Sequence, residues 1–112
     1  MISRLRWVAL GAAALLLSAC ASIEVGKDFD LKAFESHAQR GVTTQDQVRG
    51  WLGAPISTGI AIDSNGQRLD EWTYIFAKGE LPDIKEPAMK MLQARFDAKG
   101  ILYSFSFSAS SR

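Results

Sequence analysis

The sequence predicts an α+β fold: two N-terminal helices packed on one face of a small antiparallel sheet, in the order ααβββ, with room for one extra short strand. Three observations predict it. Apolar residues recur at helical spacing between Asp30 and Leu52. From Ile56 onward the pattern changes to strand-like alternation broken by turn residues. In the last segment, Ile101, Tyr103, Phe105 and Phe107 alternate with Leu102, Ser104, Ser106 and Ser108. A sheet with one large apolar face and one small polar face needs a cover on one side only. The two preceding helices supply it.

The chain opens with a different kind of segment. Met1 to Arg6 is short and positive, Trp7 to Leu17 is apolar, and Ser18-Ala19 are small residues ahead of the one cysteine, Cys20. These are the three zones of a secretory signal. The apolar run is about half the ~20 residues that a membrane-spanning helix needs. Leu17-Ser18-Ala19-Cys20 resembles the lipobox of bacterial lipoprotein precursors. That resemblance implies removal of residues 1–19 as a lipoprotein signal peptide and acylation of Cys20. A simple cleavage leaving a free thiol is the alternative, though an unpaired exported cysteine is a chemical liability. Several acyl chains hold a protein to a bilayer almost permanently, where one holds it only marginally. Ala21, rather than Asp, after the cysteine favours the outer membrane under the enterobacterial sorting rule, with the domain facing the periplasm.

Residues 20–28 show no clear period and read as a lipidated tether. Residues 29–108 read as one domain and 109–112 as a flexible C-terminus. The mature chain of about 93 residues suits a single domain with a modest core. Of 13 basic and 12 acidic residues, Arg4 and Arg6 depart with the leader, so the formal charge falls from +1 to about −1. A nearly neutral domain without a basic run argues against nucleic acid as a partner.

The first helix is expected from Asp30 to Arg40, where Leu31, Phe34 and Ala38 share a face, Asp30 caps and Gly41 stops it. The second follows Val42-Thr43-Thr44-Gln45-Asp46-Gln47, in which Thr43 with Asp46 and Thr44 with Gln47 both fit a capping box. Val48, Trp51 and Leu52 form its apolar face, Gly53 suits a left-handed terminus, and Pro55 forbids continuation. Gly50 lies inside this helix, and close packing on the first helix is one reason for it. Ile56 to Ile62 reads as a strand, Ser64-Asn65-Gly66 as a turn and Leu69 to Ala77 as the return strand, with Trp72, Tyr74 and Phe76 on one face. Lys78 to Pro87, holding Gly79, Pro82 and Pro87, reads as a loop. Leu92, Ala94 and Phe96 face one way on the strand from Met89, and Asp97-Ala98-Lys99-Gly100 turns into the last strand.

Little of this carries chemistry. His37 is the one histidine, and a lone histidine on an amphipathic helix is more often a surface residue than a catalyst. Ser104, Ser106 and Ser108 follow the period of a wet face with no base nearby in sequence, so no catalytic set is assigned. Zinc ligands are lacking, Asp28 and Asp30 alone make no calcium loop, and the glycines have no phosphate-cradling spacing, so neither metal nor cofactor is expected.

One stretch carries a family pattern. Gly41-Val42-Thr43, Val48 and Leu52-Gly53-Ala54-Pro55 resemble the signature of the SmpA/OmlA (BamE-like) outer-membrane lipoproteins. Trp72-Thr73-Tyr74 is similar to that family's Trp-x-Tyr strand, and Phe96 to Leu102 to its terminal hairpin. The resemblance implies a non-enzymatic accessory subunit or stabiliser in the assembly of β-barrel outer-membrane proteins. It implies protein partners in that machinery and contact with phosphatidylglycerol. Carried over by position, the partner- or lipid-binding residues are Ile56, after Leu-Gly-x-Pro, with Thr73 and Lys78 on or after the Trp-x-Tyr strand. Thr73 stands where a larger ring is common, and Lys78 where arginine is usual, whose bidentate geometry lysine lacks. An envelope-integrity or inhibitor-like periplasmic binding module with a different partner is the alternative.

Overall fold

The computed structural model describes residues 22–80 and 88–110. The signal segment, Cys20, the Leu81 to Pro87 part of the expected loop and the last two residues of the expected C-terminal tail lie outside these. The elements run β1 (Ser22–Gly26), α1 (Leu31–His37), α2 (Gln45–Leu52), β2 (Ser57–Ile62), β3 (Arg68–Glu80), β4 (Ala88–Phe96) and β5 (Leu102–Ser110). All five strands join one antiparallel sheet. This corrects the expected ααβββ order: a strand comes first, and the two short helices follow it.

The cause is the length of β3. Its 13 residues pair along one edge with β4, from Asp70↔Phe96 to Lys78↔Ala88. On the other edge β2 covers only Arg68 to Thr73. The remaining backbone donors and acceptors need a partner, and β1 supplies it, from Gly26↔Phe76 to Ser22↔Glu80. Residues 22–26, expected to be tether, are therefore built into the sheet. Lys78, Gly79 and Glu80, expected to be loop, continue β3. Glycine weakens a strand but does not forbid one, and Gly79 pairs with Ile23.

The helices follow their caps. Asp30 Oδ1 accepts from the Ala33 amide at 3.0 Å, fixing the start of α1. The helix ends at His37, short of the expected Arg40, with the Ala38 amide donating to Phe34. At α2, the Thr44 hydroxyl accepts from the Gln47 amide and the Gln47 side chain accepts from the Thr44 amide, closing a capping box. Thr43, the other candidate, is buried, and its hydroxyl accepts from the Gln39 amide instead. Gly53 ends α2 at φ +82°, a backbone conformation that side chains resist. Its ψ of −166° sends the chain out extended rather than in a left-handed turn. Gly50 meets nothing where a Cβ would stand, so packing on α1 does not explain it.

Both helices pack on the sheet face carrying Trp72, Tyr74, Leu92, Ala94, Phe96 and Leu102. Phe34, Val48, Leu92, Ala94, Phe96 and Leu102 are wholly buried there. Phe34 meets Phe105 edge-on at 5.0 Å, and Trp72 packs on Phe96 at 4.9 Å. Trp51 sits half-buried at the rim, 5.8 Å from the His37 ring.

One strand departs from its own pattern. A bulge between Arg95 and Phe96 sets Phe96 opposite Leu102 but Arg95 opposite Ser104. Tyr103 is the extra residue, and parity reverses across it. Leu102 and Phe105 therefore face the core together, while Tyr103 is exposed and donates to Asp63 at 3.0 Å. The unbroken apolar face Ile101-Tyr103-Phe105-Phe107 read from the sequence does not exist as one face.

Candidate functional site

The α2–β2 connection is held against β3 at two points. The Ile56 amide donates to the Thr73 carbonyl at 2.8 Å, and Ser57↔Thr73 begins the β2 ladder. Just beyond, the Tyr74 hydroxyl donates to the Gly53 carbonyl at 2.8 Å. Burial pushes the Tyr74 phenol up to about 12, which keeps it a neutral donor across the physiological range. Leu52 to Ile56 is thus pinned by its own glycine and proline and by β3.

This is also where β1 and β2 approach each other along the β3 edge. Gly26 closes β1 at φ +77°, and a Cβ there would come within 2.1 Å of the Ile75 carbonyl oxygen and 3.4 Å of the Ile56 side chain. No other residue type fits so close to a neighbouring backbone. A shallow cavity of about 200 Å³ opens at the junction, lined by Lys27, Asp28, Leu52, Pro55, Ile56 and Tyr74. Ile56 is half exposed at its edge. Gly26 lies in a stretch whose composition predicts a tether, and the short alternation Ile23-Glu24-Val25 is the one local signal of the strand that it closes.

Of the three residues expected to bind a partner or lipid, the structure joins Ile56 and Thr73 through their backbones, with the Ile56 side chain at the Tyr74 cavity. Lys78 stands apart. It lies five residues along β3 from Thr73, about 17 Å at the usual strand rise, and an odd spacing puts it on the opposite face. There it faces Glu24 of β1 at 3.8 Å, an exposed pair of little energetic weight. The fourth expected site residue, Cys20, lies outside the described residues.

A second basic residue, unremarked in the sequence, is more firmly held. Lys90 Nζ pairs with the Asp28 carboxylate and donates to the Phe29 carbonyl at 2.6 Å. It also lies over the Phe29 and Phe76 rings, at 5.2 and 5.7 Å. The hydrogen bond from Lys90 holds the Asp28 carboxyl below the usual carboxylate range. This knot fastens the β1–α1 connection to β4. On the helix-covered side nearby, a larger groove of about 480 Å³ runs past Leu31, Lys32, Glu35, Phe76 and Lys90.

His37 sits on α1 in the helix layer, whereas Ser104, Ser106 and Ser108 pair with Arg95, Gln93 and Met91 on the uncovered face of the sheet. Histidine and serines are therefore on opposite sides of the sheet. Among the described residues, no three of His, Cys, Asp and Glu stand close enough to hold a metal ion. No described helix is long and apolar enough to cross a membrane. Compared with known proteins, the chain matches no family model, and no curated protein is similar to it at a significant level.

Proposed function

We propose that this chain is a lipoprotein module, anchored through Cys20 at the outer membrane and facing the periplasm, that works by binding rather than catalysis. Its partner on this reading is a protein subunit of the machinery that assembles outer-membrane β-barrels, with phosphatidylglycerol as an accessory contact. The supporting observation is the pinned Gly53–Ile56 connection beside Thr73, which presents a side chain at a fixed place on the sheet edge. Rigid presentation of an exposed apolar residue beside a cleft is what a binding surface needs and what a mobile loop lacks. Lys78 belongs to this site only if the partner wraps the sheet edge.

A photo-crosslinker placed at Ile56 and at Thr73 in native membranes tests the reading. Adducts containing a barrel-assembly subunit are the expected result, and adducts containing none of them count against it. The additional strand β1 favours a second reading, an envelope-integrity or inhibitor-like module with another periplasmic partner, because it changes the sheet edge that a shared partner would meet. On that reading the crosslinked partner is unrelated to barrel assembly, and deletion sensitises cells to detergent while barrel levels stay normal.

A further inference from the structure

The uncovered face of the sheet divides into two unlike halves. Register and parity place Glu71, Thr73, Ile75 and Ala77 of β3 on it, opposite the helices. The half near the β2–β3 turn is polar: Glu71 pairs with Arg95 at 2.8 Å, with Thr73, Gln93 and Ser104 alongside. The other half is apolar. Val25 of β1 stands opposite Ala77, and Ala77 opposite Met89 of β4. Ile75 stands opposite Met91, and Ile23 opposite Gly79. Ile23, Val25 and Met89 are 41%, 53% and 42% exposed. Among the described residues of this half-face none is charged, and its rim on β5 is Ser108 and Ser110.

An exposed sheet face of a small domain is normally polar, so a contiguous apolar patch marks a contact surface. The sequence says what lies beside it. Cys20 precedes the first residue of β1 by two positions, and two residues reach at most ~7 Å. Ser22↔Glu80 pairing fixes that starting point at the patch end of β3. An anchor so close to the sheet cannot lift the domain away from the bilayer.

We propose that the Ile23–Val25–Ile75–Ala77–Met89–Met91 patch rests on the bilayer, so that the domain lies with its uncovered sheet face toward the lipid and its helices toward the periplasm. The inference rests on lipidation of Cys20. It adds an orientation that the anchor alone does not specify. Apolar side chains on such a surface enter the boundary between headgroups and acyl chains, about 5–10 Å deep. Val25, Met89 and Met91 supply flexible or branched apolar contact, and Thr73 and Ser108 mark where the surface turns polar. The Ile56 junction then lies at the edge of the sheet, within reach of a partner that is itself embedded in the membrane.

The test uses the full chain, expressed with its leader, purified with its native anchor and reconstituted into phosphatidylethanolamine–phosphatidylglycerol vesicles. Val25→Cys, Met91→Cys and, on the helix layer, Ser36→Cys carry an environment-sensitive fluorophore, Cys20 being blocked by its own lipid. Mass analysis of the Cys20 peptide is made on each sample. With Cys20 acylated, the probes at positions 25 and 91 are expected to emit at shorter wavelength and to be quenched by shallow spin-labelled lipids at least about twofold more than at position 36. Equal quenching at all three positions with Cys20 acylated overturns the orientation and leaves the anchor standing. Probes shielded from aqueous iodide yet not quenched by lipid also overturn it, and point to a second copy of the chain on the patch. An unmodified Cys20 overturns both orientation and anchor.

Discussion

Three glycines that look alike in the sequence behave differently in the fold. Gly26 has its back to the Ile75 carbonyl, where a Cβ would overlap at 2.1 Å, and holds φ at +77°. Gly26→Ala is therefore expected to destabilise by about 1–3 kcal/mol, read from urea unfolding, as a strained backbone conformation and a forced shift of the β1–β3 pairing combine. Gly50→Ala is the opposite case. Nothing stands near its Cβ position and it lies within α2, so the substitution is expected to stabilise by about 0.5–1 kcal/mol through helix propensity alone. Gly53 has open space but φ +82°, so Gly53→Val is expected to lower the melting temperature through backbone strain. An unchanged melting temperature would show that the α2 terminus can rearrange freely, and with it the Ile56 presentation.

At the scale of the elements, Tyr74 couples α2 to β3. Burial pushes its phenol up to about 12 from an ordinary value near 10, so the neutral form is favoured in the fold. By linkage, stability from this group is fully present below pH 10 and is lost as pH rises from 10 toward 12. Tyr103, raised by its hydrogen bond to Asp63, contributes to the same alkaline decline, so the variant must be compared with its parent. Tyr74→Phe is expected to lose about 1 kcal/mol at neutral pH with the hydrogen bond to Gly53, and to flatten the decline above pH 10. Denaturant midpoints at pH 7, 10 and 11 read both effects. A parallel loss at all three values would mean that the phenol does not titrate with the fold. The β5 bulge operates at this scale too. It allows Leu102 and Phe105 to face the core together and turns Tyr103 out to meet the β2–β3 turn.

For the whole molecule, the placement of β1 matters most. A domain on a tether samples many orientations; on the proposed anchorage at Cys20, one whose first strand begins two residues past the cysteine does not. Cys20→Ala is expected to leave the circular-dichroism spectrum and melting temperature of the domain unchanged while releasing it from the membrane fraction. A soluble form that fully restores function in cells would show that anchorage is dispensable, and would remove the reason for a clamped β1.

The local signals in the chain were enough for a good deal of this. Asp30, Thr44 with Gln47, Gly53 and Pro55 marked where helices begin and end, because capping depends on residues within one turn. The sharing of a face by Trp72 with Tyr74, and by Leu92, Ala94 and Phe96, followed from period two. What depends on distant partners was not legible. Residues 22–26 are a strand because β3 outruns β2 and leaves ladder positions open, a demand that arises 50 residues further on. Lys78 parts from Thr73 because Gly79 and Glu80 extend β3 where local composition suggests a loop. Tyr103 leaves the core face because the β4–β5 register shifts by one residue, which no alternation within β5 records. By itself the sequence determined that two short helices form, the Asp30 cap that starts the first, and the core-facing positions of the central strands; the end of the first helix at His37 and the choice of Thr44 over Thr43 at the second came from the structure. Only the tertiary structure decided the strand order and the apolar patch, because pairing energy is shared between segments and neither segment carries it alone.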